Sequence, residues 1–143
     1  NLIEKGAEPS EISSNTWDTN SISRIHLLSL ILSRLEVIND GKTAILYLKR
    51  DELKKYGFEK GDTEGFVNYG LSILGVEVSA FFIEDLYEEF IKISFRSKKN
   101  IDVNNYSRKY FNVRGHINAS GGKSLDDMET TISKFKNLAS ELK

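Results

Sequence analysis

The chain has 143 residues, 39% hydrophobic and 29% charged, the size and make-up expected of one globular domain. Its 20 Lys and Arg against 21 Asp and Glu leave a net charge of −1, which excludes a generally basic nucleic-acid coat but not a local basic patch. The absence of cysteine excludes disulfides, thiolate metal sites and cysteine nucleophiles.

No apolar run approaches the ~18 residues of a membrane span, and the first residues lack the form of a signal peptide. A cytoplasmic location is the default expectation. Asn1 is not a start methionine, and Leu2, Ile3 and Lys5 read as the last turn of a helix stopped by Gly6, so the chain is expected to belong to something longer. A short helix is expected after Pro9. The cluster Asp18-Thr19-Asn20-Ser21 offers N-caps to a longer helix. There Ile25, Leu28, Ile31, Leu32 and Leu35 keep helical spacing, His26, Ser29, Ser33 and Glu36 form the polar stripe, and Leu27 and Leu30 widen the apolar arc. Asn39-Asp40-Gly41 is expected to end it.

Residues 43–49 alternate as a strand with two apolar faces, Ile45 and Tyr47 against Leu46 and Leu48, which implies cover on both sides. Asp51 is placed to cap a short helix ended by Gly57. Asp62 is placed to cap another through Phe66, Val67 and Leu71, with Gly65 and Gly70 permitting close backbone approach. Residues 75–84 and 90–98 are the strongest strand signals and are expected to pair as an antiparallel hairpin. Ile91, Ile93 and Phe95 share one face of the second strand, which sends Lys92, Ser94 and Arg96 to the other.

Asp102 is expected to cap a helix carrying Val103, Tyr106, Tyr110 and Phe111, with Arg108 and Lys109 in its last turns. Residues 112–123 show no regular period. Ser124 with Asp127 resembles a capping box for a terminal helix with Leu125, Met128, Ile132, Phe135, Ala139 and Leu142 on its apolar side. The fold class is therefore α/β: a small, mixed, mostly antiparallel sheet flanked by helices and preceded by a helical connector. The expected division is a connector over residues 1–39 and a binding domain over residues 40–143.

His26 reads as a surface residue of a helix, whereas His116, in the irregular segment after Gly115, reads equally well as a binding group. Lys123-Ser124 after Gly121-Gly122 echoes a P-loop, but Ile117 stands where that loop needs glycine; a backbone-amide concavity for an anion is the weaker expectation left. Arg96-Ser97-Lys98-Lys99 ends a strand in positive charge. It is either a solvated strand end or a phosphate clasp, to which Arg108, Lys109 and Arg114 would add if the fold gathered them. The adjacent pairs Glu88-Glu89 and Asp126-Asp127 point apart, so no metal-binding or catalytic residue is assigned in this chain.

Three segments occur in an order that resembles one family. They are residues 61–69, reading Gly-Asp-Thr-Glu-Gly-Phe-Val-Asn-Tyr; residues 94–98, reading Ser-Phe-Arg-Ser-Lys; and residues 115–122, reading Gly-His-Ile-Asn-Ala-Ser-Gly-Gly. Together they resemble the C-terminal DHH-associated domain of DHH phosphoesterases, in the group of bacterial oligoribonucleases and pAp phosphatases. Asp18 to Ser21 and the helix after them are similar to that group's connector.

The resemblance implies a domain that binds a nucleotide, a short RNA oligonucleotide or a pAp-like compound. It would present this ligand to an N-terminal DHH domain whose Asp and His residues hold manganese. On that expectation the chain alone does not catalyse, no membrane is involved, and there is room for a homodimer. The substrate-binding residues it implies are Arg96, Ser97, Arg114, Gly115, His116, Asn118, Ser120 and Gly121. Val113 and Arg114 stand where the family loop has its first two glycines. A β-branched valine disfavours φ > 0, so the loop should take another path, with Arg114 either reaching a phosphate or obstructing the site. The alternative is a non-catalytic association or regulatory module with an altered substrate loop.

Overall fold

The structure, a computed structural model, describes residues 20–112 and 115–142. The expected helix after Pro9, the helix end at Gly6, Asp18, Thr19, Val113 and Arg114 lie outside the described residues. Among those described, the helices are α1 (Ile22–Ser33), α2 (Arg50–Lys55), α3 (Val67–Leu71), α4 (Val103–Phe111) and α5 (Met128–Leu138), with a terminal 3-10 turn at Ala139–Glu141. The strands are β1 (Glu36–Ile38), β2 (Thr43–Leu48), β3 (Val78–Glu84), β4 (Ile91–Ser97), β5 (Gly115–His116) and β6 (Ala119–Ser124). They form one sheet in the order β1-β2-β3-β4-β6-β5. Only β2 and β3 run parallel, joined by the crossover that carries α2 and α3. The expected fold class is the one observed.

Both faces of the sheet are covered over β2 and β3, as the two apolar faces of β2 require. Ile45, Ala80, Phe82, Ile93 and Phe95 pack on one side with Tyr106 and Phe111 of α4 and Phe135 of α5. Leu46, Leu48 and Phe81 pack on the other with Leu27 and Ile31 of α1, Leu53 of α2, and Phe66. Gly70 brings α3 against this second side: a Cβ there would lie 2.9 Å from the Ala44 Cβ and 2.1 Å from the Ser79 Oγ.

α1 is capped by Ser21, whose Oγ accepts from the Arg24 amide at 3.0 Å. Its buried residues are Ser23, Leu27 and Ile31, whereas Ile25 and Leu32 are exposed. The expected face is corrected because the helix is apolar nearly all round, so a polar contact decides its rotation: Ser23 Oγ donates to Asp62 Oδ2 at 2.7 Å. α1 also stops at Ser33. The β-branched Val37 and Ile38 that follow pair with Ala44 and Thr43, and Asn39-Asp40-Gly41, all at positive φ, is the turn of that hairpin.

Asp62 is not an N-cap, since α3 starts five residues later and is preceded by Phe66. The cap of α2 is Lys49, whose amide donates to Glu52 Oε1, with Asp51 inside the first turn. Residues 115–124 form the β5–β6 hairpin rather than an irregular loop, so the amides of Gly121 and Gly122 belong to a strand paired with β4 and make no anion concavity. α5 begins at Met128 with Asp127 as N-cap, accepting from the Thr130 amide at 2.7 Å. Ser124 Oγ instead meets Thr131 Oγ1 at 2.7 Å, and Leu125 is 82% exposed.

Candidate functional site

β4 alternates strictly. Ile91, Ile93 and Phe95 enter the core beneath α4 and α5, and Lys92, Ser94 and Arg96 project from the opposite face. Directly opposed residues of antiparallel strands share a face. Arg96 is opposed by Ala119 of β6, and Ala119 by His116 of β5, so Arg96 and His116 lie on one face two strands apart. At a spacing of about 4.8 Å per strand their backbones are separated by roughly 10 Å. Gly121, opposed to Ser94, belongs to the same face. Helix packing onto β5 and β6 comes mainly from α4, with α5 touching β6 through Thr131, both on the inner face.

The other residues expected in the site are placed differently. Ser97 points inward, where its Oγ donates to the Ile101 carbonyl at 2.7 Å. Ser120 is buried and donates to the Val103 carbonyl at 2.8 Å. Asn118 sits in the β5–β6 turn and locks it to the end of β4, its Nδ2 donating to Ser97 Oγ at 2.9 Å and to the Lys99 carbonyl at 3.1 Å. Gly115 is held by Asn104, whose Oδ1 accepts from its amide, and a Cβ there would come within 2.3 Å of the Ser120 Cα. Its lack of a side chain is thus needed for the hairpin itself. Arg114 is outside the described residues. Arg108 and Lys109 ride on α4, across the sheet from Arg96, and do not add to its patch; Lys109 pairs with Glu141.

Arg96 bonds the Phe95 carbonyl through Nη1 at 2.8 Å and, among the described residues, has no carboxylate partner. The rest of its guanidinium fork is available for an anion. Arg96 also borders a groove of about 600 Å³. Phe58, Phe66, Phe81 and Ile83 contribute to its apolar lining, and Lys60, Glu64, Lys92 and Tyr87 to its rim. Its two walls are anchored by arginines. On one side Arg24 stacks over Phe66 at 4.8 Å and donates to the carbonyls of Asp62 and Glu64 at 3.1 and 2.7 Å. On the other Arg50 donates to the Asp85 and Glu88 carbonyls and to Glu89, fixing the tip of the β3–β4 hairpin.

The carboxylate of Asp62 sits behind the first wall, accepting from Ser21 Oγ, Ser23 Oγ and the Glu59 amide at 2.7–2.8 Å. Burial alone would raise its pKa, but the Glu59 amide, the two hydroxyls and the nearby Arg24 together hold it below the usual carboxylate range. At the hairpin tip, the amides of Tyr87 and Glu88 likewise hold the Asp85 carboxyl low. The groove was not foreseen from the sequence, because its walls come from segments more than twenty residues apart. The one local signal was Tyr87, a lone aromatic inside the acidic turn 85–89. Among the described residues no group of three or more His, Asp or Glu could hold a metal ion.

With this geometry in hand, the family is decided by a direct match: the DHHA1 domain model covers residues 40–142, from the β1–β2 turn to the end of the described chain. The chain belongs to the DHHA1 domain family. It is 27% identical over 142 residues to the bifunctional oligoribonuclease and PAP phosphatase NrnA of Bacillus subtilis, a match spanning 98% of this chain and 44% of that protein. It is 30% identical over 94 residues to a 3′,5′-cyclic-nucleotide phosphodiesterase of Helicobacter pylori, across 61% of this chain and 26% of that one.

Among solved structures, an exopolyphosphatase-related protein from Bacteroides fragilis is 38% identical with a TM-score of 0.78, covering 96% of this chain and 42% of its own. A pGpG-specific phosphodiesterase from Vibrio cholerae shares the fold at 14% identity and a TM-score of 0.57, over 84% of this chain and 38% of its own. The DHHA1 chain described here spans less than half the length of each of these relatives. No helix among the described residues is long and apolar enough to cross a membrane.

Proposed function

We propose that this DHHA1 domain is the nucleotide- and short-oligonucleotide-binding part of a cytoplasmic DHH phosphoesterase, acting beside a DHH domain. The observation that carries the reading is Arg96: a guanidinium without a carboxylate partner among the described residues, on the outer sheet face, aligned with His116 across Ala119 and bordering an apolar-floored groove. A guanidinium fork matches two oxygens of one phosphate, and a histidine on the same face adds a further hydrogen-bonding group. The names of the Bacillus and Helicobacter relatives support nucleotides and short RNA as the ligand class.

The described residues do not suit the manganese expected of such enzymes, so its ligands are assigned to the DHH domain and no hydrolytic step is assigned to a side chain of this one. Ser97, Ser120, Gly115 and Asn118 serve the site by shaping the β4–β6–β5 platform rather than by touching a ligand. The reading is tested by the affinity of the chain for a 5′-phosphorylated RNA dinucleotide. Arg96→Ala should weaken it ten- to a hundredfold, the ~1.5–3 kcal/mol of a hydrogen bond to a charged group, and Arg96→Lys should recover only part. Unchanged affinity in Arg96→Ala would overturn the reading. The association-module alternative draws on Ile22, Ile25 and Leu32, exposed along α1; a wild-type chain that binds no nucleotide yet self-associates would favour it.

A further inference from the structure

The outer face of β4 and β6 carries positive charge at both ends, and Arg96 accounts for only one of them. At the other end Lys92 of β4 is directly opposed to Lys123 of β6. Between the two ends lie Ser94 and Gly121, also opposed to each other, with Ala119 beside them. No bulky side chain rises from the sheet between the ends. Four residue steps separate Arg96 from Lys92, about 13 Å at a strand rise of ~3.3 Å.

Like charges directly opposed on paired strands are destabilising. Lys92 forms no ion pair among the described residues, and the Lys123 ammonium rests over the Phe90 ring, 4.0 Å from its centroid. The field of Asp85 reaches Lys123, but the Asp85 carboxylate is already engaged by the amides of Tyr87 and Glu88 at 3.0 and 2.8 Å. Two exposed lysines are thus opposed on paired strands, with no salt-bridge partner among the described residues. An anion placed between them would relieve the repulsion.

We propose that Lys92 and Lys123 form a second phosphate subsite, so that this face takes a short single-stranded RNA spanning both ends in preference to a single nucleotide. The proposal rests on the reading above, in which the Arg96 end takes one phosphate. One nucleotide step falls short of the span between the ends, and two steps cover it. The ligand that engages both subsites is therefore a 5′-phosphorylated trinucleotide, while a nucleoside 5′-monophosphate fills only the Arg96 end. The small residues between let the intervening sugar lie close to the sheet, and the neighbouring groove offers apolar surface to a base.

The test compares the binding of 5′-phosphorylated triadenylate and of AMP to the wild-type chain, to the double variant Lys92→Gln/Lys123→Gln, and to Arg96→Ala. Both lysines are exposed, and circular dichroism checks that the variants fold. In the lysine variant the trinucleotide affinity should fall roughly three- to tenfold, the scale of two solvent-exposed charge contacts. The slope of log affinity against log salt should shrink by about 0.7, the increment for one phosphate on a single strand. AMP affinity should hold within about twofold, and Arg96→Ala should weaken both ligands. An unchanged trinucleotide affinity in the lysine variant, or equal weakening of both ligands, would overturn the second subsite while the Arg96 result leaves the first standing. If Arg96→Ala still bound both ligands normally, the reading of the whole face would fall.

Discussion

The hydroxyl of Tyr106 is buried among Phe95, Phe111 and Phe135 and has no hydrogen-bond partner among the described residues. An unsatisfied buried hydroxyl costs free energy, and burial also pushes its phenol up, away from ionisation. Tyr106→Phe keeps the ring and removes the orphaned group, so it should raise unfolding stability by about 1 kcal/mol in a urea titration. A loss of stability would mean that the hydroxyl has a partner. Asp62 is the opposite case, a buried carboxylate with every neighbour donating to it. Its folded-state pKa lies below the unfolded value of about 3.9, so its contribution is full above that value and is lost as pH falls through the folded pKa. Asp62→Asn should therefore destabilise the chain at neutral pH by about 1–3 kcal/mol, and the gap from wild type should close below about pH 4. A gap that stays constant down to pH 2 would show that the charge contributes nothing. Because Asp62 ties α1 to the wall of the groove, the same variant should also loosen that wall.

Among the elements, the ones legible in the sequence were those whose side chains announce two different sides. β2 with its two apolar faces, the β3–β4 hairpin, and α4 with Asp102 as cap all follow the pattern, since Asp102 Oδ1 accepts from the Asn105 amide at 2.9 Å. β6 was illegible for the opposite reason. Reading Ala-Ser-Gly-Gly-Lys-Ser, it has no apolar side, and its glycine is selected by contact with a distant helix. A Cβ at Gly122 would stand 2.8 Å from the Phe111 Cβ and 3.4 Å from the Phe95 ring. Gly122→Ala should therefore push α4 off the sheet and cost about 1–3 kcal/mol, with a lower Tm as the readout. An unchanged Tm would mean that α4 shifts freely. The rotation of α1 was hidden in the same way, because its decisive contact, Ser23 with Asp62, joins residues 39 positions apart.

At the scale of the molecule, the sheet is covered on both sides over β2 and β3, α3 reaches across to β4 on the outer side, and helices cover β6 and β5 from the inner side; Arg96, His116, Lys92 and Lys123 share the outer face. The outward direction of Arg96 was readable from the alternation of β4 alone. Its alignment with His116 was not, because that depends on the register of a hairpin which the sequence presents as irregular polar residues. Ser97 and Ser120 show the limit of carrying a motif over residue by residue: neighbours in sequence of Arg96 and Gly121, they lie on the other face. The measurement that bears most directly on the central claim is an amide chemical-shift titration of this chain with a 5′-phosphorylated RNA dinucleotide. The account predicts the largest shifts at Ser94, Arg96, His116, Ala119 and Gly121, with α4 and α5 unaffected. Shifts concentrated on α4 and α5, or on the exposed side of α1, would contradict it.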